Sequence, residues 1–265
     1  MNLKLPFNKV HIVMCMAFVF LTQFYKSQET TIHIKQGKLY KPNGEKLTLR
    51  GVNYNFMDNG NILMTSTQQT FKTYVDEVAK TGANAIRIPW FTDAFPHWRK
   101  NYPNIGSPQA ALENGALSNF IGYCQSKGLT PILEVHDFTC KNDWATFTPA
   151  IKAYWTQPKM LELIEKHKAY LIINIANEFG KVSTASTLTT FKTNYSDIVK
   201  FMRNAGISVP IMIDAPNCGI ASTELMSVSA DILAADPLKK LIFSGHSYWT
   251  IYAPTTADVK KRIQE

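Results

Sequence analysis

Short apolar runs rich in β-branched residues recur along the chain and alternate with longer amphipathic stretches. Runs of this length, bounded by polar or turn-forming residues, are typical of buried strands. Six are prominent, at residues 47–54, 84–90, 130–136, 170–177, 209–215 and 240–248. Because continuous apolar strands that each precede a helix form parallel sheets, the pattern predicts a parallel sheet covered by helices.

Helical periodicity appears between the runs. Apolar residues recur at helical spacing in residues 70–82, 116–128 and 191–206, and each segment ends at a glycine, the residue favoured just after a helix. Before the first run, alternating residues flank "PNGEK", whose Asn43-Gly44 pair favours a tight turn. We therefore predict a hairpin near the start of the folded domain.

Polar and aromatic residues collect where the predicted strands end. In a (β/α)8 TIM barrel the loops after the strands build the active site, so this distribution favours a barrel over an open doubly wound sheet. No GxGxxG follows the first strand and no P-loop occurs, which argues against a nucleotide-dependent enzyme. The predicted fold is α/β, an incomplete (β/α)8 TIM barrel with about six of eight βα units. The residues at the strand ends are Asn53, Tyr54, Trp90, His136, Asp137, Asn177, Glu178, Asp214, Asn217, His246 and Tyr248.

The N-terminus has the pattern of a secretory signal peptide. Lys4 and Lys9 precede the apolar run "IVMCMAFVFLTQF", which is followed by the polar stretch "YKSQET". The run is shorter than the roughly 20 apolar residues of a transmembrane helix. We expect residues 1–28 to be removed and residues 29–265 to form one secreted domain, extracellular or periplasmic. An uncleaved N-terminal anchor is the alternative.

Charge and cysteine content argue against a nucleic-acid-binding protein and against a metal site. Without residues 1–28 the chain has 25 basic and 20 acidic residues, a net charge of +5, and the basic residues are scattered. We therefore expect no nucleic-acid partner, no membrane association after cleavage, and a monomer. Cys124, Cys140 and Cys218 have no metal-ligand spacing, so no metal or other cofactor is expected, and one disulfide is possible.

The stretch "YLIINIANEFG" carries the clearest chemical signal. Its apolar run ends in Asn177 and Glu178. A carboxyl group beside an amide and near apolar walls can have its pKa raised by desolvation and act as a general acid. The alternative is a structural glutamate that caps a helix or pairs with Lys181.

Other strand-end residues have a functional and a structural interpretation. His136 and His246 can bond sugar hydroxyls or orient a carboxylate, or can be structural. Arg87, flanked by isoleucines, needs a carboxylate or a ligand. Trp90 and Trp249 can stack on sugar rings or pack in the core. Asp214 is expected to anchor the loop that follows it, and Asp137 to orient a neighbour.

Six segments in order resemble glycoside hydrolase family 5, the cellulase and β-mannanase family. They are "LRGVNY", "GANAIRIPW", "LTPILEVHD", "IINIANEFG", "IMIDAPNCG" and "FSGHSYW". The resemblance implies a secreted retaining glycosidase that cleaves a β-1,4-linked polysaccharide, mannan or cellulose and β-glucan. "EVHD" and "INIANE" resemble bacterial β-mannanases more than typical cellulases.

The resemblance also implies roles for single residues. Glu178 is implied as the acid/base, and Asn177 as the partner of the sugar 2-hydroxyl. Arg87 is implied to steady the nucleophile, and His136 to contact the sugar near the cleavage point. His246 and Tyr248 are implied to line the subsite and orient the carboxylates.

A retaining glycosidase needs a second carboxyl group about 5–5.5 Å from the first. The family takes it from barrel strand seven, and the sequence ends at Glu265 in a helical pattern after the sixth predicted strand. We therefore expect a truncated chain whose nucleophile lies beyond residue 265, and which by itself folds poorly and is inactive. A catalytically dead carbohydrate-binding barrel, or an inactive fragment, is the alternative.

Overall fold

The structure is a computed structural model that describes residues 29–54, 69–92, 107–248 and 255–264. The predicted signal peptide, residues 1–28, lies outside the described residues. The strands are β1 (His33–Lys35), β2 (Lys38–Tyr40), β3 (Lys46–Leu47), β4 (Gly51–Asn53), β5 (Ala85–Trp90), β6 (Thr130–Val135), β7 (Ile172–Asn174), β8 (Ile211–Asp214) and β9 (Leu241–Ser244). The helices are α1 (Gln69–Lys80), α2 (Pro108–Glu113), α3 (Ala116–Ser126), α4 (Trp144–Thr156), α5 (Pro158–His167), α6 (Ala185–Asn204), α7 (Ser222–Ala235) and α8 (Thr256–Gln264).

Strands β4 to β9 form one parallel sheet in which every strand pairs with the next strand along the chain. Helices separate successive strands, which is the arrangement that the apolar pattern predicts. The carboxyl ends of all six strands therefore lie at one edge of the sheet. Among the described helices, none is both long enough and apolar enough to cross a membrane.

A small antiparallel sheet of β1, β2 and β3 precedes the parallel sheet. The predicted turn at Asn43-Gly44 joins β2 to β3, where the Asn43 side chain accepts a hydrogen bond from the Glu45 amide at 3.0 Å. The predicted run 47–54 is not one strand, because Leu47 belongs to this small sheet and the parallel sheet begins only at Gly51. The prediction was wrong in merging these two strands.

Successive side chains of the parallel strands point to opposite faces of the sheet, so alternate residues pack in different layers. One set, which includes Leu133, Ile173 and Ile213, packs in the large core with the helices. The other set forms a smaller core in which Ile132, Ile172, Met212 and residues of the N-terminal sheet pack together. Polar residues two positions further along the same strands, such as Glu134, Asn174 and Asp214, are also fully buried. The sheet thus carries a buried polar layer directly above an apolar one.

The two ends of helix α6 are set by a capping box at the first turn and a glycine after the last. Its N-cap is Thr184, whose hydroxyl accepts from the Thr187 amide at 3.2 Å while Thr187 bonds back to the Thr184 amide at 3.0 Å. This capping box satisfies free amides of the first turn. The helix begins at Ala185, earlier than the predicted 191, and ends before Gly206, whose φ of 94° favours glycine.

Candidate active site

Arg87 is the centre of a buried polar network that joins four strands. From β5, its Nη1 pairs with Glu134 Oε2 on β6 at 3.1 Å, and its Nη2 pairs with Asp214 Oδ2 on β8 at 3.1 Å. Nη2 also donates to Asn174 Oδ1 at 2.6 Å and to Asn177 Oδ1 at 3.0 Å. The guanidinium therefore pairs with two carboxylates that could not be buried alone.

Asp214 accepts hydrogen bonds from several elements. Its Oδ2 accepts from the Glu178 backbone amide at 3.2 Å and lies 3.3 Å from His246 Nε2, while Oδ1 accepts from Asn174 Nδ2 at 3.2 Å. Asp214 is fully buried. It therefore positions the Glu178 backbone instead of anchoring the loop that follows it, which corrects the sequence interpretation.

Glu178 follows β7 at the edge where the strands end. Its Oε1 lies 2.5 Å from His246 Nδ1 and accepts a hydrogen bond from the Tyr248 hydroxyl. Its backbone has φ of 51°, in the left-handed region that non-glycine residues seldom adopt. Only 4% of the residue is exposed. His246 and Tyr248 both follow β9, so the structure brings together residues about 70 positions apart.

The electrostatics of this trio differ from the sequence prediction. Burial raises the pKa of Glu178, but the hydrogen bonds from His246 and Tyr248 outweigh it and hold the pKa below the usual value. The expectation of a raised pKa for Glu178 is therefore wrong: desolvation acts in the expected direction, but the two hydrogen-bond donors outweigh it. Burial opposes charge on His246, yet Asp214 and Glu178 raise its pKa to about 9. His246 is thus a cation between two carboxylates at neutral pH.

His136 lies beside this trio without a hydrogen bond to Glu178. Its Nδ1 lies 2.9 Å from Glu134 Oε1, and its pKa is raised because this carboxylate outweighs the effect of burial. Asn177 donates from Nδ2 to Thr139 Oγ1 at 3.1 Å and accepts from Arg87. Both side chains are therefore oriented by neighbours at the end of the strands.

Of the two tryptophans of the sequence analysis, the structure describes only Trp90, which does not join the site. Trp90 is 1% exposed and packs in the large hydrophobic core, so its ring has no face free for a sugar. The stacking role is corrected to a core role, because the strand-end position did not reveal what packs on it. Trp249 lies outside the described residues.

Asp137 does not contact Glu178. Its Oδ2 accepts from the Thr92 amide at 2.7 Å, and burial raises its pKa to about 7. The side chain therefore holds the backbone after β5, and its link to the site is indirect.

Several site residues were missed by sequence reasoning. Glu134 and Asn174 lie inside apolar strands, two positions before His136 and three before Asn177 respectively, where a polar residue signals an inward-facing site position. Cys140 and Cys218 form a disulfide. Each follows by four residues a strand-end residue, His136 and Asp214, and this matching offset was the available signal. Cys124 is buried and free.

Metal binding finds no support in the part of the chain that the structure describes. One cluster, Cys140, Cys218 and Glu178, has ligand atoms within 4.8 Å of one another. Both sulfurs are in a disulfide, which leaves no thiolate to bind a metal. The site instead offers a carboxyl group with two donors on one oxygen, and its backbone amide is held by Asp214, which pairs with Arg87. This arrangement of side chains suits proton transfer.

Comparisons with known proteins agree with this architecture. Residues 40–264 match the family described as Cellulase (glycosyl hydrolase family 5). A mannan endo-1,4-beta-mannosidase of Streptomyces lividans is 29% identical over 221 residues, which are 82% of this chain and 50% of that protein. The chain thus spans about half the length of this curated relative.

Solved structures give the same result. The catalytic domain of the mannanase from Streptomyces sp. SirexAA-E is 25% identical with a TM-score of 0.68, over 91% of this chain and 68% of that one. A mannohexaose complex of the Thermomonospora fusca β-mannanase has a TM-score of 0.67 and 24% identity, over 89% of this chain and 71% of that one, and shows the fold alone. These likenesses confirm the predicted incomplete (β/α)8 barrel, of which the described residues contain six parallel strands.

Proposed function

Because the chain belongs to glycosyl hydrolase family 5, we propose that it is a glycosidase that hydrolyses a β-1,4-linked polysaccharide with Glu178 as general acid and base. The observation that carries the proposal is the convergence of Glu178, His246 and Tyr248 at the strand ends, above the Arg87 network. A carboxyl group in this position can protonate a departing glycosidic oxygen and then deprotonate a water molecule.

Mannan is the substrate that we favour over cellulose or β-glucan. The curated relative is a mannan endo-1,4-beta-mannosidase, and one solved neighbour holds mannohexaose. We further propose a retaining mechanism. The segments "EVHD" and "INIANE", which carry His136, Asn177 and Glu178, support the choice of mannan because they resemble bacterial β-mannanases more than typical cellulases.

The acid role requires Glu178 to be protonated when the substrate is bound. In the described residues its pKa lies below the usual value. A second carboxylate about 5–5.5 Å away, as a retaining mechanism requires, would raise it by like-charge repulsion. Among the described residues, Asp214 and Glu134 are fully buried and paired with Arg87, so neither is suited to attack a sugar. The nucleophile is therefore not assigned to a described residue.

The first test is the variant Glu178→Gln, which replaces the ionisable carboxyl group by an amide of the same shape that cannot act as an acid. In a form of the protein that also carries the nucleophile, we expect kcat/KM on mannan to fall by about 10²–10⁴-fold, the usual contribution of a general acid. On an aryl mannoside with a good leaving group, which needs no proton, glycosylation should fall much less. The matched control is Glu165→Gln, because the Glu165 carboxylate on α5 forms only an exposed ion pair with Lys168.

Two outcomes of this test contradict the acid role. Equal losses on mannan and on the aryl substrate would remove the assignment of Glu178. Binding of mannohexaose without any hydrolysis by a form of the protein that also carries the nucleophile would favour the carbohydrate-binding alternative, which the low pKa of Glu178 also favours.

We also propose that the protein is secreted and that residues 1–28 are its signal peptide. The basic start, the apolar run and the polar stretch after it support this proposal. Expression of the full chain in a bacterium should yield exported protein whose N-terminal sequence begins near Gln28 or Glu29. Retention of Met1 on the membrane-associated protein would instead indicate an anchor.

A further inference from the structure

A disulfide joins the two loops that flank Glu178. Cys140 lies in the loop after β6 and Cys218 in the loop after β8, with their Cα atoms 4.7 Å apart and 78 positions between them in sequence. Glu178 lies in the loop after β7, the strand between these two in the sheet. The bond therefore spans the element that carries the proposed acid.

Backbone hydrogen bonds hold the Glu178 loop from both sides. From the β6 side, the Cys140 amide donates to the Glu178 carbonyl at 3.2 Å, and the Gly180 amide donates to the Lys141 carbonyl at 2.9 Å. From the β8 side, the Asn217 amide donates to the Gly180 carbonyl at 2.8 Å. The disulfide links the two sides, so all three loops form one unit.

The backbone within this unit is strained. Glu178, Cys140 and Cys218 have φ values of 51°, 59° and 58°, in the left-handed region. Side chains with a Cβ persist there only where surrounding contacts enforce the conformation. The hydrogen bonds and the disulfide are those contacts.

The two oxygens of Glu178 have different surroundings. Oε1 accepts from His246 and Tyr248, whereas Oε2 lies 3.5 Å from Cys140 Sγ. This second contact is not a hydrogen bond, because a disulfide sulfur carries no hydrogen. Among the described residues no other donor reaches Oε2, so Oε2 is the oxygen on which a proton is best carried.

We propose that the Cys140–Cys218 disulfide is a positioning device for Glu178, which fixes its loop and presents to Oε2 a sulfur that cannot donate a hydrogen bond. This proposal rests on the proposed role of Glu178 as the acid. The other charged or titratable groups that act on Glu178 are His246 and Tyr248 after β9, Asp214 on β8 and His136 after β6. Opening the disulfide alters the covalent structure of none of them.

Opening the disulfide should change the titration of Glu178. A dithiol reductant supplies two electrons and two protons, so the S–S bond becomes two thiols and the reductant becomes its own disulfide. The Cys140 thiol can then donate weakly to Oε2, which stabilises the carboxylate. The pKa of Glu178 should therefore fall on reduction.

The experiment compares Cys140→Ala with Cys218→Ala in the full chain. Both variants lose the disulfide, but only Cys218→Ala keeps a donor at position 140. Carbon-13 NMR of the Glu178 carboxyl group, assigned with Glu178→Gln, should give a pKa lower in Cys218→Ala by about 0.5 pH unit, as for a weak donor to a charged group. In the reduced unaltered chain, the pKa of Glu178 should match its pKa in Cys218→Ala. This measurement checks the result without a mutation. The role of the sulfur would be overturned if the pKa of Glu178 were equal in the two variants. It would also be overturned if reduction of the unaltered chain did not lower the pKa of Glu178.

Amide hydrogen exchange tests the fixing of the loop. In both variants the amides of Gly180, Lys181 and Val182 should exchange about tenfold faster than in the oxidised chain, while amides of α3 keep their rates. Unchanged loop exchange, or alkylation of Cys140 and Cys218 before any reduction, would overturn the positioning role. Neither measurement requires hydrolysis, so a failure of the proposed function leaves this test intact.

Discussion

At the scale of single residues, His246 is defined by the two carboxylates beside it. Glu178 Oε1 lies 2.5 Å from Nδ1 and Asp214 Oδ2 lies 3.3 Å from Nε2, so the charged imidazole can donate from both nitrogens. A neutral imidazole can donate from only one. The pair of carboxylates thus favours the cation, in agreement with the raised pKa of about 9.

The stability of the protein should fall with pH as this charge is lost. Because the pKa of His246 is about 9 in the folded chain and ordinarily 6.5, its stabilisation is complete below about pH 6.5 and is lost as the pH rises through 9. The contribution is at most about 3 kcal/mol. Chemical unfolding of the unaltered chain and of His246→Gln measures it.

The difference in unfolding free energy between the two chains should shrink from pH 6.5 to pH 9. A difference that stays constant over this range would contradict a charged His246 at neutral pH.

The sequence identified which residues form the site better than it predicted the surroundings of each residue. Glu178, Arg87 and His246 are recognisable because polar residues inside or after apolar strands are costly to bury unless they have a partner or a function. The pKa of Glu178 was mispredicted because its two donors come from residues 246 and 248. Trp90 was misassigned because its burial depends on which distant side chains cover it.

At the scale of elements, the C-terminal end of α6 is fastened by a buried ion pair. Arg203 Nε donates to Asp236 Oδ1 at 2.9 Å, and Nη1 donates to the carbonyls of Ile207 and Val209 at 2.7 Å each. Both side chains are at most 2% exposed. The pair connects α6 to the loop after α7.

Breaking this pair should destabilise the fold strongly. Arg203→Ala leaves the Asp236 carboxylate buried without its partner, which typically costs about 3–5 kcal/mol. The matched control is Lys192→Ala, which removes the exposed pair of α6 with Asp231 and should cost less than about 1 kcal/mol. Urea unfolding followed by circular dichroism compares the two; similar costs would show that burial does not decide the effect.

Prediction of elements worked where one local signal dominates. The strands β5 to β9 follow from apolar runs, and α1 and α3 end near the expected glycines. The run 47–54 was merged because no local feature marks where Leu47 leaves one sheet and Gly51 enters another. The beginning of α6 at Ala185 depends on a cap formed by threonines, a signal that the apolar periodicity does not contain.

At the scale of the whole molecule, the N-terminal sheet covers the small core of the parallel sheet. Ile32 and Leu47 pack with Ile132, Ile172 and Met212. The order of the parallel strands was predictable because consecutive βα units lie side by side. The place of the small sheet was not, since it depends on packing between residues that are distant in sequence, such as Ile32 and Met212.

The packing of Ile32 should contribute measurably to global stability. Ile32→Ala removes a side chain that is 1% exposed and should lower the unfolding free energy by about 2–5 kcal/mol. Met226→Ala, at a residue that is 60% exposed, should change it by less than about 0.5 kcal/mol. Calorimetric melting of both variants checks this, and a loss for Ile32→Ala no larger than the control would mean that the N-terminal sheet is loosely attached.

The network around Arg87 has a consequence for how the chain acquires its structure. Its hydrogen-bond partners Asn174, Asn177 and Asp214 lie 87, 90 and 127 positions away in sequence. A half-assembled sheet would hold a partly buried guanidinium without all of its acceptors, so intermediates that stop between β5 and β8 are disfavoured. Contacts this distant also slow the search for the native topology. The strands from β5 to β8 should therefore form late and together, in one cooperative step.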